Sequence, residues 1–111
     1  EGAGDYQRKK TVSSFLTSSV QLEPGPRRFF VNADGLGEEA TLKVELLDHH
    51  LRPLPQYSSD NAAIVRTNGF QTPIIWNGQD RLKDLPARVR TRVTFEGKGN
   101  QNIRFAALYY R

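Results

Sequence analysis

The sequence predicts an all-β fold, an antiparallel, jelly-roll-like β-sandwich of about eight strands. In several short runs apolar and polar residues alternate with a period of two, which suits strands with one buried face and one solvated face. Glycine, proline and Asn-Gly pairs separate these runs and are typical of tight turns. No segment of about a dozen residues carries an apolar stripe at helical spacing, so neither a helical nor an alternating α/β fold is expected.

The clearest strand is Ala40–Asp48, in which Leu42, Val44 and Leu46 alternate with polar residues. A helix would distribute these three side chains around its circumference, whereas a strand places them on one face. Only residues 79–85 are compatible with a short helical turn. The same alternation and the positions of the turn residues predict seven further strands, at residues 11–17, 19–23, 28–32, 62–67, 73–76, 88–96 and 102–110.

The chain length fits one domain. With 111 residues the chain can bury one shared core and is too short for two. Residues 11–111 are therefore predicted to form a single sandwich. The polar residues 1–10 lack apolar periodicity and are predicted to be a flexible tail or linker. The absence of methionine, even at the first position, suggests that the chain is a piece of a longer protein.

Composition excludes several kinds of site and partner. The chain has no cysteine, so disulfides, thiolate metal ligands and cysteine nucleophiles are ruled out. No apolar run approaches the ~20 residues of a membrane span, so membrane insertion is not expected. The net charge of +4 is modest, and the aromatic residues are not interleaved with lysine as in stacking grooves. Nucleic acid is therefore not expected as a partner.

Residue chemistry predicts no enzyme. Asp48 and Asp60 flank a proline-rich turn and come closest to a general acid and base pair, but acids at turns commonly accept hydrogen bonds from the backbone. His49 and His50 are adjacent, and neighbours on an extended chain point to opposite sides. They are therefore not expected to bind one metal ion together. We expect no catalytic residue, no metal site and no cofactor.

The last two predicted strands are expected to pair as a hairpin. The loop between them places Glu96 opposite Asn102, and Tyr109 then points inward and Tyr110 outward. The inward residues of this hairpin should meet those of the strand Ala40–Asp48 in one core. The residues predicted to be buried together are Val44, Leu46, Val93, Phe95, Ile103 and Phe105.

The outward face of the predicted hairpin is rich in arginine. It is compatible with a solvated face on which arginine stems cover neighbouring side chains, with a strip that binds anions, or with a docking surface for an adjoining domain. The residues assigned to this anion or partner face are Arg88, Arg90, Arg92, Arg104 and Tyr110.

Two turns place a large ring beside short polar side chains. Tyr57 and Asp60 lie in one turn, and Trp76 and Asn77 in the other. A sugar presents one apolar face and many hydroxyls, so such a mixture suits carbohydrate binding if the two turns converge. The alternative is that both rings pack at the rim of the sandwich and their polar atoms are satisfied locally.

Several motifs occur in an order that resembles a known module. They are VNAD at residues 31–34, the strand at 37–48, the RPLPQYS turn at 52–58, WNG at 76–78 and the strand at 89–95. In this order they resemble the C-terminal β-sandwich accessory module of bacterial glycosidase-like and sialidase-like proteins, over nearly the whole chain after residue 10. Similar modules usually carry a Ser-x-x-Asp-Cys run where this chain has Ser58, Ser59, Asp60 and Asn61.

The resemblance implies an accessory domain downstream of a catalytic domain, with no catalytic residues of its own. It also implies a parent protein that is extracellular or in the cell envelope. We therefore expect carbohydrate binding by Tyr57, Asp60, Trp76 and Asn77. The alternative is a structural or docking module that holds an adjoining domain or a protein partner.

Overall fold

The fold is an antiparallel β-sandwich of two sheets. The computed structural model describes residues 10–17, 19–37, 40–98 and 104–111, and its strands lie close to most of the predicted ones. This part of the chain contains no helix that is long and apolar enough to cross a membrane. The nine strands of the described residues are β1 (Lys10–Leu16), β2 (Val20–Gln21), β3 (Arg27–Asp34), β4 (Ala40–Asp48), β5 (Ala63–Val65), β6 (Gly69–Pro73), β7 (Arg81–Leu82), β8 (Arg88–Lys98) and β9 (Arg104–Tyr110).

The first sheet has the strand order β1-β8-β4-β5, and β2 also pairs with β8. β4 shows why its sequence predicted a strand so clearly. Leu42, Val44 and Leu46 point into the core and are fully buried. Thr41 and Lys43 alternate with them and are half-buried on the outer face.

The second sheet is built around β3. β9 pairs with one edge of β3, and β6 and β7 pair with successive parts of its other edge. Phe29, Val31 and Ala33 of β3 belong to the core cluster. Arg28 and Phe30 alternate with them and therefore point to the outer face. This outer face carries several arginines.

The predicted hairpin between the last two strands is wrong. β8 pairs with β1 and β2 along one edge and with β4 along the other, so neither of its edges is open to β9. β9 instead pairs with β3 in the opposite sheet. The alternating sequence of β9 is compatible with a position in either sheet. Because both edges of β8 are already paired, β9 joins the sheet of β3. Arg104 therefore lies in a different sheet from Arg88, Arg90 and Arg92, and the predicted face does not exist as one surface.

The predicted orientation of the two tyrosines is also reversed. Asn32 lies opposite Ala107, but Ala33 lies opposite Phe105, so Ala106 is an extra residue in β9. Such a β-bulge moves the residues beyond it to the other face. Accordingly, Tyr110 packs against the core and its hydroxyl donates a hydrogen bond to the Gln21 carbonyl at 2.9 Å, while the Tyr109 ring stacks on Phe30.

The core prediction is confirmed for the first sheet. Val44, Leu46 and Val93 are fully buried. Phe95 is half-buried, packs against the core and contacts the Phe15 ring with centroids 5.5 Å apart. Ile103 and the Phe105 side chain lie outside the described residues.

The segment between β5 and β8 differs most from the prediction. The expected strand at 73–76 is displaced to β6, and the expected helical turn at 79–85 contains the short strand β7. Gln71 has a φ of 58°, which interrupts the alternation, and Phe70 is 85% exposed. The main-chain groups of Trp76 and Gln79 hydrogen-bond to each other around a tight turn, and Arg81 and Leu82 pair with β3. The strand pairing excludes the predicted helical turn at 79–85.

Candidate functional site

Three loops meet at one end of the sandwich. Asp48, the last residue of β4, pairs with Val89 near the start of β8, and Arg27 at the start of β3 pairs with Leu82 at the end of β7. The loops that follow β4, precede β3 and connect β7 to β8 therefore lie at the same end. Loops at the end of a rigid sandwich are a common location for binding sites.

Asp48 organises the first of these loops. Its carboxylate accepts hydrogen bonds from the N–H groups of His50 at 2.8 Å and Arg52 at 2.9 Å, and from the Arg52 Nε at 3.1 Å. The hydrogen bond from the Arg52 N–H is the main reason why the pKa of Asp48 lies below its ordinary value of 3.8. The carboxylate is thus engaged within its own turn, as expected for an acid with a backbone role.

The two histidines of this loop lie side by side. Their ring centroids are 3.9 Å apart, which corrects the prediction that they point to opposite sides. They occupy a turn, with Leu51 at a φ of 68°, and are not on an extended strand. Within the described residues, no group of three His, Cys, Asp or Glu side chains is arranged to hold a metal ion.

A buried carboxylate anchors the next part of the loop. Glu45, on the outer face of β4, accepts a hydrogen bond from the Ser59 N–H at 2.8 Å and one from the Arg92 Nε at 2.9 Å. Burial by itself disfavours the charged form, but these two hydrogen bonds and the charge of Arg92 outweigh it, so the pKa of Glu45 is lowered from 4.5. The Ser58 hydroxyl also donates a hydrogen bond to the Leu46 carbonyl at 2.8 Å.

The two turns with large rings do converge. The Asn77 side-chain amide donates a hydrogen bond to the Gln56 carbonyl at 3.1 Å, and the rings of Tyr57 and Trp76 meet edge-on with centroids 6.1 Å apart. Trp76, however, is 0% exposed, and its indole N–H donates to the Val44 carbonyl at 3.1 Å. It also packs against Phe29 in the core. Trp76 therefore cannot be a stacking platform for a sugar, and this part of the predicted site is wrong.

The other predicted residues of this site have separate roles. Asn77 uses its amide to join the two turns, as described above. Asp60 is exposed in a short 3-10 turn, Ser59–Asn61, and lines neither of the two grooves at this end. Tyr57 alone remains half-buried and open to a groove. Of the four predicted residues, it is the one that fits a binding role.

Two grooves lie side by side at this end of the molecule. The first has a volume of about 480 Å³ and lies between the Pro24–Pro26 turn and the loop before β8. The second, called here the proline groove, has a volume of about 470 Å³ and is lined by Leu54, Pro55, Gln56, Tyr57, Asp84, Leu85 and Pro86. Asp84, Leu85 and Pro86 line both grooves and form the ridge between them.

Three of the side chains that line the proline groove also pack against the hydrophobic core. Leu54, Tyr57 and Leu85 are half-buried and pack against the main core. Asp84, on the ridge, has a φ of 58°, and Asn77, which supports the turn at Gln56, has a φ of 52°. Non-glycine residues in this left-handed region are uncommon, and such residues tend to cluster at functional sites.

The sequence contained a weak signal for this groove. Pro53 and Pro55 predicted a turn, but nothing in the sequence indicated that Leu85 and Pro86 would face it. The pairing of β4 with β8 places the two loops together. The groove therefore depends on strand order, which the sequence pattern did not predict.

The arginines of the predicted partner face have different environments. Arg88 is exposed, whereas Arg90 and Arg92 are half-buried on the outer face of the first sheet. Arg92 pairs with Glu45, and Arg90 lies opposite Leu47. Tyr110 points into the core, and the Arg104 side chain lies outside the described residues. Arg92 is thus engaged by Glu45, whereas the Arg90 Nε is buried and has no hydrogen-bond partner among the described residues.

No family model, no curated protein and no solved structure matches this chain.

Proposed function

We propose that this domain is a non-catalytic interaction module whose proline groove binds an extended segment of a partner protein or of an adjoining domain. The observation that carries the proposal is the groove itself. It is open, and one tyrosine, two leucines and two prolines line it. The tyrosine and the leucines also pack against the hydrophobic core.

The groove has the composition of a peptide-binding surface. Its volume of about 470 Å³ lies in the range that is usual for small-molecule binding pockets. Aromatic-lined grooves are typical of domains that recognise extended, proline-rich segments, and Tyr57 supplies an aromatic ring to this groove. Because Leu54, Tyr57 and Leu85 already pack against the core, little side-chain freedom is lost on binding.

The chemistry of the described carboxylates supports a non-catalytic role. Asp48 is engaged by its own turn, Glu45 by Ser59 and Arg92, and Asp80 by Arg28 at 3.0 Å. A general acid and base pair needs two carboxylates that share one pocket. Glu23 and Asp84 both line the first groove, but both side chains are exposed and stand beside Arg27 and Lys83, so this groove lacks the buried carboxyl group that a general acid needs. The proline groove is lined by one acid, Asp84.

Carbohydrate binding is the second candidate, and Tyr57 favours it. Its ring lines a groove to which the neighbouring Gln56 and Asp84 contribute polar groups. The resemblance to accessory modules of extracellular glycosidase-like proteins agrees with either candidate. The burial of Trp76 removes the larger of the two predicted platforms, so the interaction module is the better supported proposal.

The test is selection of peptides from a random phage-displayed library on the isolated domain, in parallel with a glycan array. We expect peptides to be enriched and their binding to be weakened roughly tenfold or more by Tyr57→Ser and by Leu85→Asn, because each substitution removes a large apolar contact. The matched control is Ile64→Asn, which changes an exposed apolar residue of β5 that does not line the groove.

Correct folding of each variant is checked through the single tryptophan, whose emission reports the buried environment of Trp76. Peptides that bind all variants equally would place the site elsewhere. Glycan hits that depend on Tyr57, without peptide enrichment, would replace the proposal with carbohydrate binding. Absence of both would contradict it.

A further inference from the structure

Three arginines lie in one row across the second sheet. Arg28 of β3 and Arg111 exchange two main-chain hydrogen bonds, of 2.9 and 2.8 Å. On the opposite edge of β3, Arg28 lies directly opposite Arg81 of β7. Residues that face each other in an antiparallel sheet point to the same side, with Cβ atoms about 4.5–5.5 Å apart. The three side chains therefore share the outer face of the sheet, away from the core residue Phe29.

Two of the arginines stack on the ring of Phe30, in the neighbouring row of residues across the sheet. Phe30 lies opposite Tyr109 on one side and Pro73 on the other. The guanidinium carbon of Arg28 lies 5.1 Å from the centre of the Phe30 ring, and that of Arg111 lies 5.3 Å from it. Phe30 is only 6% exposed although it points outward, because guanidinium groups and the Tyr109 ring cover it. Both cations are thus positioned before any ligand arrives.

The row carries uncompensated positive charge. Like charges directly opposite each other destabilise a sheet. Within the described residues, Asp80 is the one carboxylate that pairs with these arginines, through a 3.0 Å contact with Arg28. Arg81 and Arg111 are exposed and have no ion pair in that part of the chain. Two positive charges therefore remain for an external anion.

We propose that Arg28, Arg81 and Arg111 form a binding site for a sulfate or phosphate ester group, with Asp80 as an internal competitor for Arg28. Guanidinium groups present planar arrays of N–H donors that match the oxygens of tetrahedral anions. The site lies on the outer face of the second sheet, and none of its three arginines lines the proline groove. The proposal is therefore independent of the proposed function.

The surroundings favour a single ester group over a nucleic acid strand. Strand-binding grooves offer exposed rings on which successive bases stack. Here the Phe30 ring is covered by its neighbours, and the Tyr109 ring is stacked on it with centroids 5.5 Å apart. The row thus offers charge and donors, and the two rings beside it are stacked on each other.

Titration calorimetry at low ionic strength tests the proposal with a heparin hexasaccharide, which carries sulfate esters, and with inositol hexakisphosphate, which carries phosphate esters. We expect Arg81→Gln to raise the Kd of the preferred probe roughly tenfold, since it removes a charge-assisted contact. Asp80→Asn should lower the Kd several-fold, because it frees Arg28 from its internal partner. Arg88→Gln is the matched control, since it removes one exposed arginine of the other sheet and should leave the Kd within about twofold.

The two probes distinguish the source of the ester group, because binding of only one of them assigns the site to sulfate or to phosphate. A fully desulfated hexasaccharide should show no binding. Arg81 is exposed on a short strand, so Arg81→Gln is expected to fold, and circular dichroism verifies this. Lack of binding by both charged probes would overturn the proposal. Equal losses in Arg81→Gln and Arg88→Gln, or no gain in Asp80→Asn, would also overturn it.

Discussion

Among the described acidic residues, Glu45 is the one that is buried. It lies on the outer face of β4, yet its side chain is only 7% exposed, because the loop that contains Ser59 and the stem of Arg92 cover it. Its two oxygens each accept one hydrogen bond. The ionised carboxylate thus ties the loop after β4 to the sheet and positions one wall of the candidate site.

Glu45→Gln should destabilise the domain at neutral pH by about 1–3 kcal/mol, because Arg92 loses its charged partner. The cost is below that of breaking a fully buried pair, since the Arg92 side chain is 37% exposed and remains partly solvated. The pKa of Glu45 is lower in the folded protein than its ordinary 4.5. The stabilisation is therefore complete above that value and is lost as the pH falls through the folded pKa.

Urea unfolding of the wild type and Glu45→Gln at pH 7 and in mild acid measures this difference. It should shrink as the pH decreases below about 4.5. Glu23→Gln, a change at an exposed glutamate, is the control and should have a small effect at both pH values. A difference between wild type and Glu45→Gln that is independent of pH would contradict the role given to the charge.

Trp76 and Tyr109 show the limit of sequence patterns for single residues. A tryptophan beside Asn-Gly is compatible with an exposed rim or with a buried anchor, and its sequence position does not distinguish them. The available acceptor, the Val44 carbonyl, comes from a distant strand. The orientation of Tyr109 depends on the β-bulge at Ala106. The position of this bulge could not be recognised from the alternation of apolar and polar residues.

Among the elements, β8 determines the topology. It pairs with three other strands and has no edge left for the strand that follows it in sequence. The chain therefore crosses from one sheet to the other between β8 and β9. The proximity of two alternating strands in sequence predicted a hairpin, because local pairing is common, but strand partners depend on contacts that are distant along the chain.

Pairs of engineered cysteines test this topology, and the absence of native cysteine keeps the experiment simple. Phe30 and Tyr109 lie opposite each other on β3 and β9, so Phe30→Cys combined with Tyr109→Cys should form an intramolecular disulfide on mild oxidation. Arg92→Cys with Ala106→Cys, a pair from the predicted hairpin, should not. The products are identified by mass spectrometry of proteolytic fragments. Preferential oxidation of the second pair would restore the hairpin and refute the observed topology.

At the scale of the whole molecule, the sandwich separates two candidate surfaces. The proline groove lies at the end where β4 stops and β8 begins, and the arginine row lies on the outer face of the second sheet. The sequence predicted the class of fold, the strand β4 and much of the first sheet's core. It did not predict either surface, because each is formed by residues from elements that only the strand order brings together.

The central claim is that the proline groove is the surface through which this domain binds its partner. The most direct measurement is an NMR titration of the isotope-labelled domain with a peptide selected on it, following the amide resonances. We expect the largest shifts at Leu54, Tyr57, Leu85 and their neighbours, and little change at Ile64 or Phe70, which line neither groove. Shifts confined to other faces, with the resonances of the groove unchanged, would contradict the claim.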